Sequence, residues 1–339
     1  MKIVVNSYFL VLFLLLSSYN SYSWHKTTFV WNFGLISRSN QGVPKSPYDY
    51  FQTDQPFNQN DYKKFNEGDI VWVKTKYLQE FCTQILPKIN QPVILLISDG
   101  DESFPDNCKS FNIETLLNNR FIVHIFAQNN VYKNEKVSSW PIGMDFHTIS
   151  YKGSGGGWGE IGNPNEQEAI LNNILTTLKP TSQRIKGALV DFHLCDTMHG
   201  DQKRYIEMGE DRQSIFERLL PTGLIYPTTW LRRSELWKRK GEYAFSISPH
   251  GNGLDCHRTW EDLVLGCIVI VKKSALDVLF EGLPVVIIDD WSQITTENMD
   301  KWLSMYGDAF SNNVYREKLT NDYWWSKISK IAAQKCKNF

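Results

Sequence analysis

The sequence predicts an α/β protein built from two Rossmann-like, doubly wound parallel sheets that face each other across a cleft. Three observations carry this expectation. Apolar runs alternate with helical patterns in both halves, the rhythm of parallel strands joined by crossover helices. Several runs are apolar at every position, as strands covered on both faces must be. A glycine-rich stretch at 151–159 separates one α/β series from the next.

In the first half, residues 69–74 (DIVWVK) read as a strand and 77–89 as a helix. Residues 92–98 (PVILLIS) form a buried strand bounded by turn residues, 113–118 a short helix, and 121–126 (FIVHIF) another buried strand. Beyond the glycines, Asn163 and Pro164 mark a helix start, because Asn caps well and Pro suits the first helical position. The second half repeats the pattern, with strands at 187–192, 243–248, 267–271 and 284–288. Its expected helices are 202–220, 255–266, 296–305 and 313–334. The glycine stretch lacks the G-K-[ST] ending of a phosphate loop and reads as a linker. The organisation follows: an address at 1–23, a first α/β domain at 24–150, a linker and crossover helix at 151–180, a second α/β domain at 181–310, and a terminal helix at 311–339.

Composition narrows the function. With 339 residues, 42% hydrophobic and 22% charged, the chain has material for a large core, which excludes global disorder. Lys+Arg 36 against Asp+Glu 37 gives a net charge of −1, so no electrostatic grip on nucleic acid is expected. Lys2, an apolar run at 9–16 and small residues at Ser21 and Ser23 resemble a secretory signal. The expected localisation is therefore the secretory pathway, with membrane contact only if the segment persists as an anchor. Six cysteines without a C-x-x-C exclude a zinc knuckle or redox pair. Cys256 and Cys267 flank an expected helix about 15 Å long and cannot bridge each other. No N-x-[ST] sequon occurs.

The segment from Ser248 to Glu261 (SPHGNGLDCHRTWE) carries the chemistry. It follows an expected strand and opens an expected helix. Gly251 and Gly253, with Asn252 between them, allow close backbone approach to a ligand and positive φ. Asp255 is the expected N-cap, beyond which free N–H groups and the helix dipole suit a phosphate. Arg258 adds a bidentate grip on a diphosphate, with His257 beside it. Glu261, one turn on, is placed to accept from the vicinal hydroxyls of a ribose. Arg212, from the preceding helix, is a further candidate for the phosphates. The plainer alternative is an exposed Arg258–Glu261 pair with Asp255 acting only as a cap. Trp260, Leu263 and Val264 read as core.

Here the sequence resembles a family. Residues 245–261 (FSISPHGNGLDCHRTWE), 265–271 (LGCIVIV), 276–285 (LDVLFEGLPV) and Asp290-Trp291 are similar to the donor-binding region of exostosin-like glycosyltransferases. Residues 126–130 (FAQNN) and 141–145 (PIGMD) resemble pieces that precede the domain crossover in such proteins. The resemblance is specific over 243–291, patchier over 69–148 and absent upstream of Asp69. It implies a GT-B fold, a nucleotide-diphosphate sugar as co-substrate, and a carbohydrate or glycoconjugate acceptor. It also implies that Glu261 holds the ribose and Arg258 the phosphates. No resident cofactor or protein-held metal is implied, although Mn or Mg can assist diphosphate release. Val269 stands where the family usually has proline.

An acceptor base is expected from the first domain. Asp101 is the leading candidate and Asp99 the second, because both follow a buried strand at the end where open sheets meet ligands. Asp145 and His147 are lesser cleft candidates, and His124 reads as a core histidine. Asp99-Gly100-Asp101 also fits the D-x-D signature of metal-dependent glycosyltransferases, a rival reading. A third reading, suggested by the 12 tryptophans, is a secreted carbohydrate-binding protein that keeps the fold without turnover.

Overall fold

The computed structural model describes residues 27–44, 56–150, 158–159, 161–194, 212–311, 314–337 and 339. The expected address at 1–23, most of the glycine-rich stretch, Cys195 and the start of the 202–220 helix lie outside them.

The strands β1 (Ile70–Lys74), β2 (Val93–Ser98), β3 (Ile122–Ala127) and β4 (Val137–Ser139) pair in parallel in the order β1-β2-β3-β4. A second parallel sheet contains β5 (Ile185–Val190), β6 (Ile225–Pro227), β7 (Tyr243–Ile247), β8 (Ile268–Lys272) and β9 (Val285–Ile288), in the order β6-β5-β7-β8-β9. The α/β class and the two parallel sheets therefore match expectation. β4 and β6 were not anticipated, because three-residue edge strands are too short to show a period.

The helices are α1 (Asn32–Ile36), α2 (Leu78–Gln84), α3 (Glu114–Leu117), α4 (Pro164–Leu175), α5 (Arg212–Leu219), α6 (Arg233–Lys240), α7 (His257–Val264), α8 (Thr296–Tyr306), α9 (Val314–Glu317) and α10 (Asn321–Cys336). α4 begins as expected, with Asn163 and Glu166 in a reciprocal capping box and Pro164 at the first position. The single helix expected at 313–334 is two, since the Thr320 hydroxyl accepts from Tyr323 N at 3.2 Å and starts α10 afresh. α10 returns to the first sheet and packs on β2, β3 and α1. Its Asn321, 1% exposed, donates to the carbonyls of Thr27 and Phe29 at 2.8 and 2.9 Å. No helix among the described residues is long and apolar enough to cross a membrane.

Strand alternation sorts the apolar side chains into three cores. Val93, Leu95 and Ile97 of β2 face an outer core with Leu78 and Phe81 of α2. Ile94 and Leu96 face a central core that also takes Val269 and Val271 of β8. Ile268 and Ile270 face the second outer core, with Ile215 and Leu219 of α5. The central core is filled from α1, α4, α7 and α10, so one apolar mass ties both sheets together. Trp260, Leu263 and Val264 lie in it, as expected from their helical spacing.

Candidate functional site

In the second sheet β5 lies between β6 and β7, so the chain reverses its winding at the β5/β7 pair. Ligands of open α/β sheets bind outside the strand ends at such a reversal. The residues beyond β5 are Asp191 and Phe192; those beyond β7 are Ser248, Pro249 and His250. Two arginines converge on this point. Arg212, first residue of α5 and 5% exposed, donates from Nε and Nη2 to the His250 carbonyl at 3.0 and 2.8 Å. Arg258, in the first turn of α7, donates to the Pro249 carbonyl at 2.7 Å and to Ser248 Oγ at 3.3 Å. Its Nε lies 3.8 Å from Asp191 Oδ1. The two guanidiniums stand 5.8 and 5.6 Å from the Phe192 ring, so one aromatic side chain locates both.

The local potential is positive. His250 is buried, and burial together with Lys272, Arg212 and Arg258 lowers its ring to about 4. It is therefore neutral at pH 7, and its Nδ1 has no hydrogen-bond partner among the described residues. A buried polar atom left unsatisfied beside two arginines is the condition of a site built for an anion. α7 points its start at the same place. Its N-cap is Cys256, whose side chain makes no cap bond. Beside Phe192 opens a cavity of about 330 Å³, walled by Trp158, His193, Phe216, Pro227 and Trp230.

Beneath the site runs a buried ion cluster. Lys240 of α6, 3% exposed, sits 2.5 Å from Asp191 Oδ2 and 2.8 Å from Asp262 Oδ1. Lys240 and Arg258 hold the Asp191 carboxyl below the ordinary range against its burial, whereas burial pushes Asp262 up to about 6. The cluster fixes the ends of β5 and α7 relative to α6, and so fixes Arg258.

A second crevice, of about 240 Å³, lies on the first-sheet side and is lined by Lys74, Asp99, Asp101, Gln128, His147 and His257. The 126–130 segment builds its wall. Gln128 Oε1 accepts from Asp99 N at 3.2 Å, and Asn129 Nδ2 donates to the Gly100 carbonyl at 3.2 Å. The 141–145 segment docks on the second sheet's loops. Ile142 N donates to Asp255 Oδ2 at 2.8 Å, and the Gly143 carbonyl accepts from His257 Nδ1 at 2.7 Å. Gly143 is at φ +70°, and a Cβ there would lie 2.2 Å from the Val30 carbonyl oxygen, so no other residue fits.

The structure brings Ser248, Gly251, Arg212 and Arg258 together at the ends of β5 and β7, sets Gly253 against Asn129 and the Asp101 carbonyl of the first half, and leaves Asn252 exposed at the loop tip. Four readings need correction. Asp255 is not the N-cap; it is buried, accepts from Ile142 N and Trp260 Nε1, and clasps the two halves. Gly251 and Gly253 do not take positive φ. Space is what they supply, since a Cβ on Gly253 would lie 2.7 Å from Asn129 Nδ2 and 3.1 Å from the Asp101 carbonyl. Glu261 does not pair with Arg258 on an exposed face; it is buried and its Oε2 accepts from Trp237 Nε1 at 3.3 Å. His257 turns toward the first-sheet crevice, away from the arginines. Asp99 forms an ion pair with Lys74, and Asp101 is exposed on the crevice wall.

Sequence reasoning missed α6 and with it Arg233, Trp237 and Lys240. The helix (RSELWKRK) reads as polar, and the carboxylates that let it bury charge come from distant segments. Asp191 was legible in principle, as an acid directly after a parallel strand.

No family model matches the chain, and no curated protein does. Among solved structures, the chain is similar to a UDP-forming trehalose-phosphate synthase from Burkholderia xenovorans, at 12% identity and TM-score 0.33, over 81% of this chain and 73% of that one. It is similar to an α-glucosyltransferase in complex with UDP and a 13-mer DNA, at 12% identity and TM-score 0.31, over 78% and 76%. A trehalose-6-phosphate protein from E. coli bound with UDP-2-fluoro glucose gives 10% and 0.31, over 81% and 73%. At these scores the likenesses assign nothing, and function rests on the site itself.

Proposed function

We propose that the chain is a glycosyltransferase of the exostosin-like kind, moving a sugar from a nucleoside-diphosphate donor to a hydroxyl of a carbohydrate or glycoconjugate. Residues 181–310 hold the donor and 24–150 present the acceptor. The observation that carries the reading is the pair of arginines, Arg212 and Arg258, converging on the β5/β7 reversal beside the buried His250, whose Nδ1 has no partner among the described residues. Glycosyl transfer asks for stabilisation of a leaving diphosphate, and fixed guanidiniums with an open helix start supply it without reorganisation. A planar base fits the aromatic cavity beside Phe192. The ribose hydroxyls go to Glu261, whose Oε1 is the oxygen not engaged with Trp237. A D-x-D metal reading is weaker, because Asp99 is already neutralised by Lys74.

Calorimetric titration with UDP and GDP tests this. Wild type binds at least one, and Arg258→Ala or Arg212→Ala weakens it by roughly 10–100-fold, the worth of one charged hydrogen-bonding group. Absence of binding by wild type, or full affinity in both variants, contradicts it. A carbohydrate-binding protein without turnover would bind UDP yet release none from UDP-hexoses.

A further inference from the structure

Across the first-sheet crevice, Asp145, His147 and His257 lie with one ligating atom each within 4.8 Å of one another. That spacing is compatible with a cation, but the charges speak against one. Arg233, buried on α6, already holds Asp145, with Nη2 at 2.5 Å from Oδ2 and Nη1 on its carbonyl. Gln167 keeps the guanidinium in place, its Oε1 accepting from Nη1 at 3.0 Å. A divalent ion there would sit beside a fixed positive charge.

The arrangement suits a proton. His147 Nδ1 lies 2.9 Å from Asp145 Oδ1. A carboxylate can only accept, so Nδ1 carries the hydrogen and the Nε2 lone pair is left for the crevice. Thr148 N, donating to the same oxygen at 3.0 Å, fixes the carboxylate further. The imidazole is 44% exposed on its side chain, so a substrate hydroxyl can reach it. His257, its ring centroid 5.2 Å away, is held by the Gly143 carbonyl, and the next residue is Arg258. One turn of α7 thus joins the crevice to the anion site.

We propose that His147, oriented by Asp145, is the base that activates the acceptor hydroxyl, in preference to Asp101 or Asp99; this rests on the glycosyltransferase reading above. Nε2 takes the hydroxyl proton as the acceptor oxygen bonds to the anomeric carbon. The bond from that carbon to the donor phosphate breaks, and its electron pair leaves with the nucleoside diphosphate, held by Arg212 and Arg258. Asp145 is a positioning residue behind it.

Several charged groups face His147. Asp145 lies on its own loop, Arg233 on α6, and His257 with Glu261 on α7. Asp99 and Asp101 follow β2, and Lys74 and Lys76 lie at the end of β1. The ring's partial burial and Arg233 lower it, and the two carboxylates, Asp145 and Asp99, raise it; the sum lies above the ordinary 6.5. Burial lowers His257 below its ordinary value, against Asp145 and Glu261.

The test measures nucleoside-diphosphate release from UDP- and GDP-hexoses by the full chain between pH 5 and 9, with UDP and GDP affinity measured in parallel. His147→Gln should bind diphosphate within threefold of wild type yet lose about 100-fold or more in kcat. Wild-type turnover should rise with pH through a midpoint above 6.5. In Asp145→Asn that midpoint should fall; should this variant not fold, the ring titration of His147 followed by NMR in the wild-type chain must show the same raised midpoint. His147→Gln turnover within threefold of wild type, a larger loss in Asp101→Asn than in His147→Gln, or diphosphate binding without any release overturns the inference and leaves the donor site standing. Failure of wild type to bind either nucleotide overturns the donor reading and this inference with it.

Discussion

In the first sheet the strands lie side by side in the order in which the chain makes them. In the second, β5 is flanked by β6 and β7. That single difference separates what the halves can do. Sequential order leaves no splayed pair among the described strands, so the crevice of the first half is assembled from loops: the end of β1, the turn after β2 and the 141–147 segment. Reversed order opens a gap between strand ends, and two arginines from two helices meet there. The second half therefore offers a fixed pair of guanidiniums, and the first half a wall carrying titratable side chains. α7 serves both, with His257 on one side and Arg258 on the other.

The largest effect expected from breaking this contrast lies beneath the guanidiniums. Lys240→Met leaves Asp262 buried without its counter-charge and Asp191 with only Arg258, and stability to urea should fall by about 3–5 kcal/mol. A loss under about 1 kcal/mol would mean that the cluster does not hold the strand ends. The clasp between the halves comes next. Burial outweighs the bonds from Ile142 and Trp260 and raises Asp255 from the ordinary 3.8 to about 6. The folded chain then binds an extra proton between those values, so Asp255's contribution is fully present below about pH 4 and is lost as pH rises through 6. Relative to Asp255→Asn, wild type should lose about 2–3 kcal/mol between pH 4 and pH 7 in urea melts. An unchanged gap would remove Asp255 as the titrating clasp. Smallest is Gly253→Ala, which pushes a methyl against Asn129 and the Asp101 carbonyl and should cost about 1–2 kcal/mol. A neutral result would show that the glycine loop stands clear of the first half.

The sequence carried the apolar strands well, because a residue covered on both faces must be hydrophobic whatever its partners are. Residues 93–98 and 268–272 needed no other information. Arg258 and Arg212 were legible as charges near a strand end, but their convergence was not, since it depends on strand order. Asp255 misled because an Asp before a helix has two uses, cap and clasp, and the choice is made by Ile142, 113 residues away. α6 was invisible for a related reason. Its buried Arg233 and Lys240 look like surface residues until Asp145, Asp191 and Asp262 are folded against them. The segments at 126–130 and 141–145, singled out as resemblances, prove to be among the parts of the first half that touch the second.

The most direct measurement compares UDP with uridine by calorimetry, in wild type and in the Arg212→Ala/Arg258→Ala double variant. If the β5/β7 crevice is the diphosphate seat, wild type prefers UDP by about 100-fold or more, and the double variant loses that preference while its affinity for uridine stays within a few-fold. An equal preference for UDP in both proteins would contradict the account.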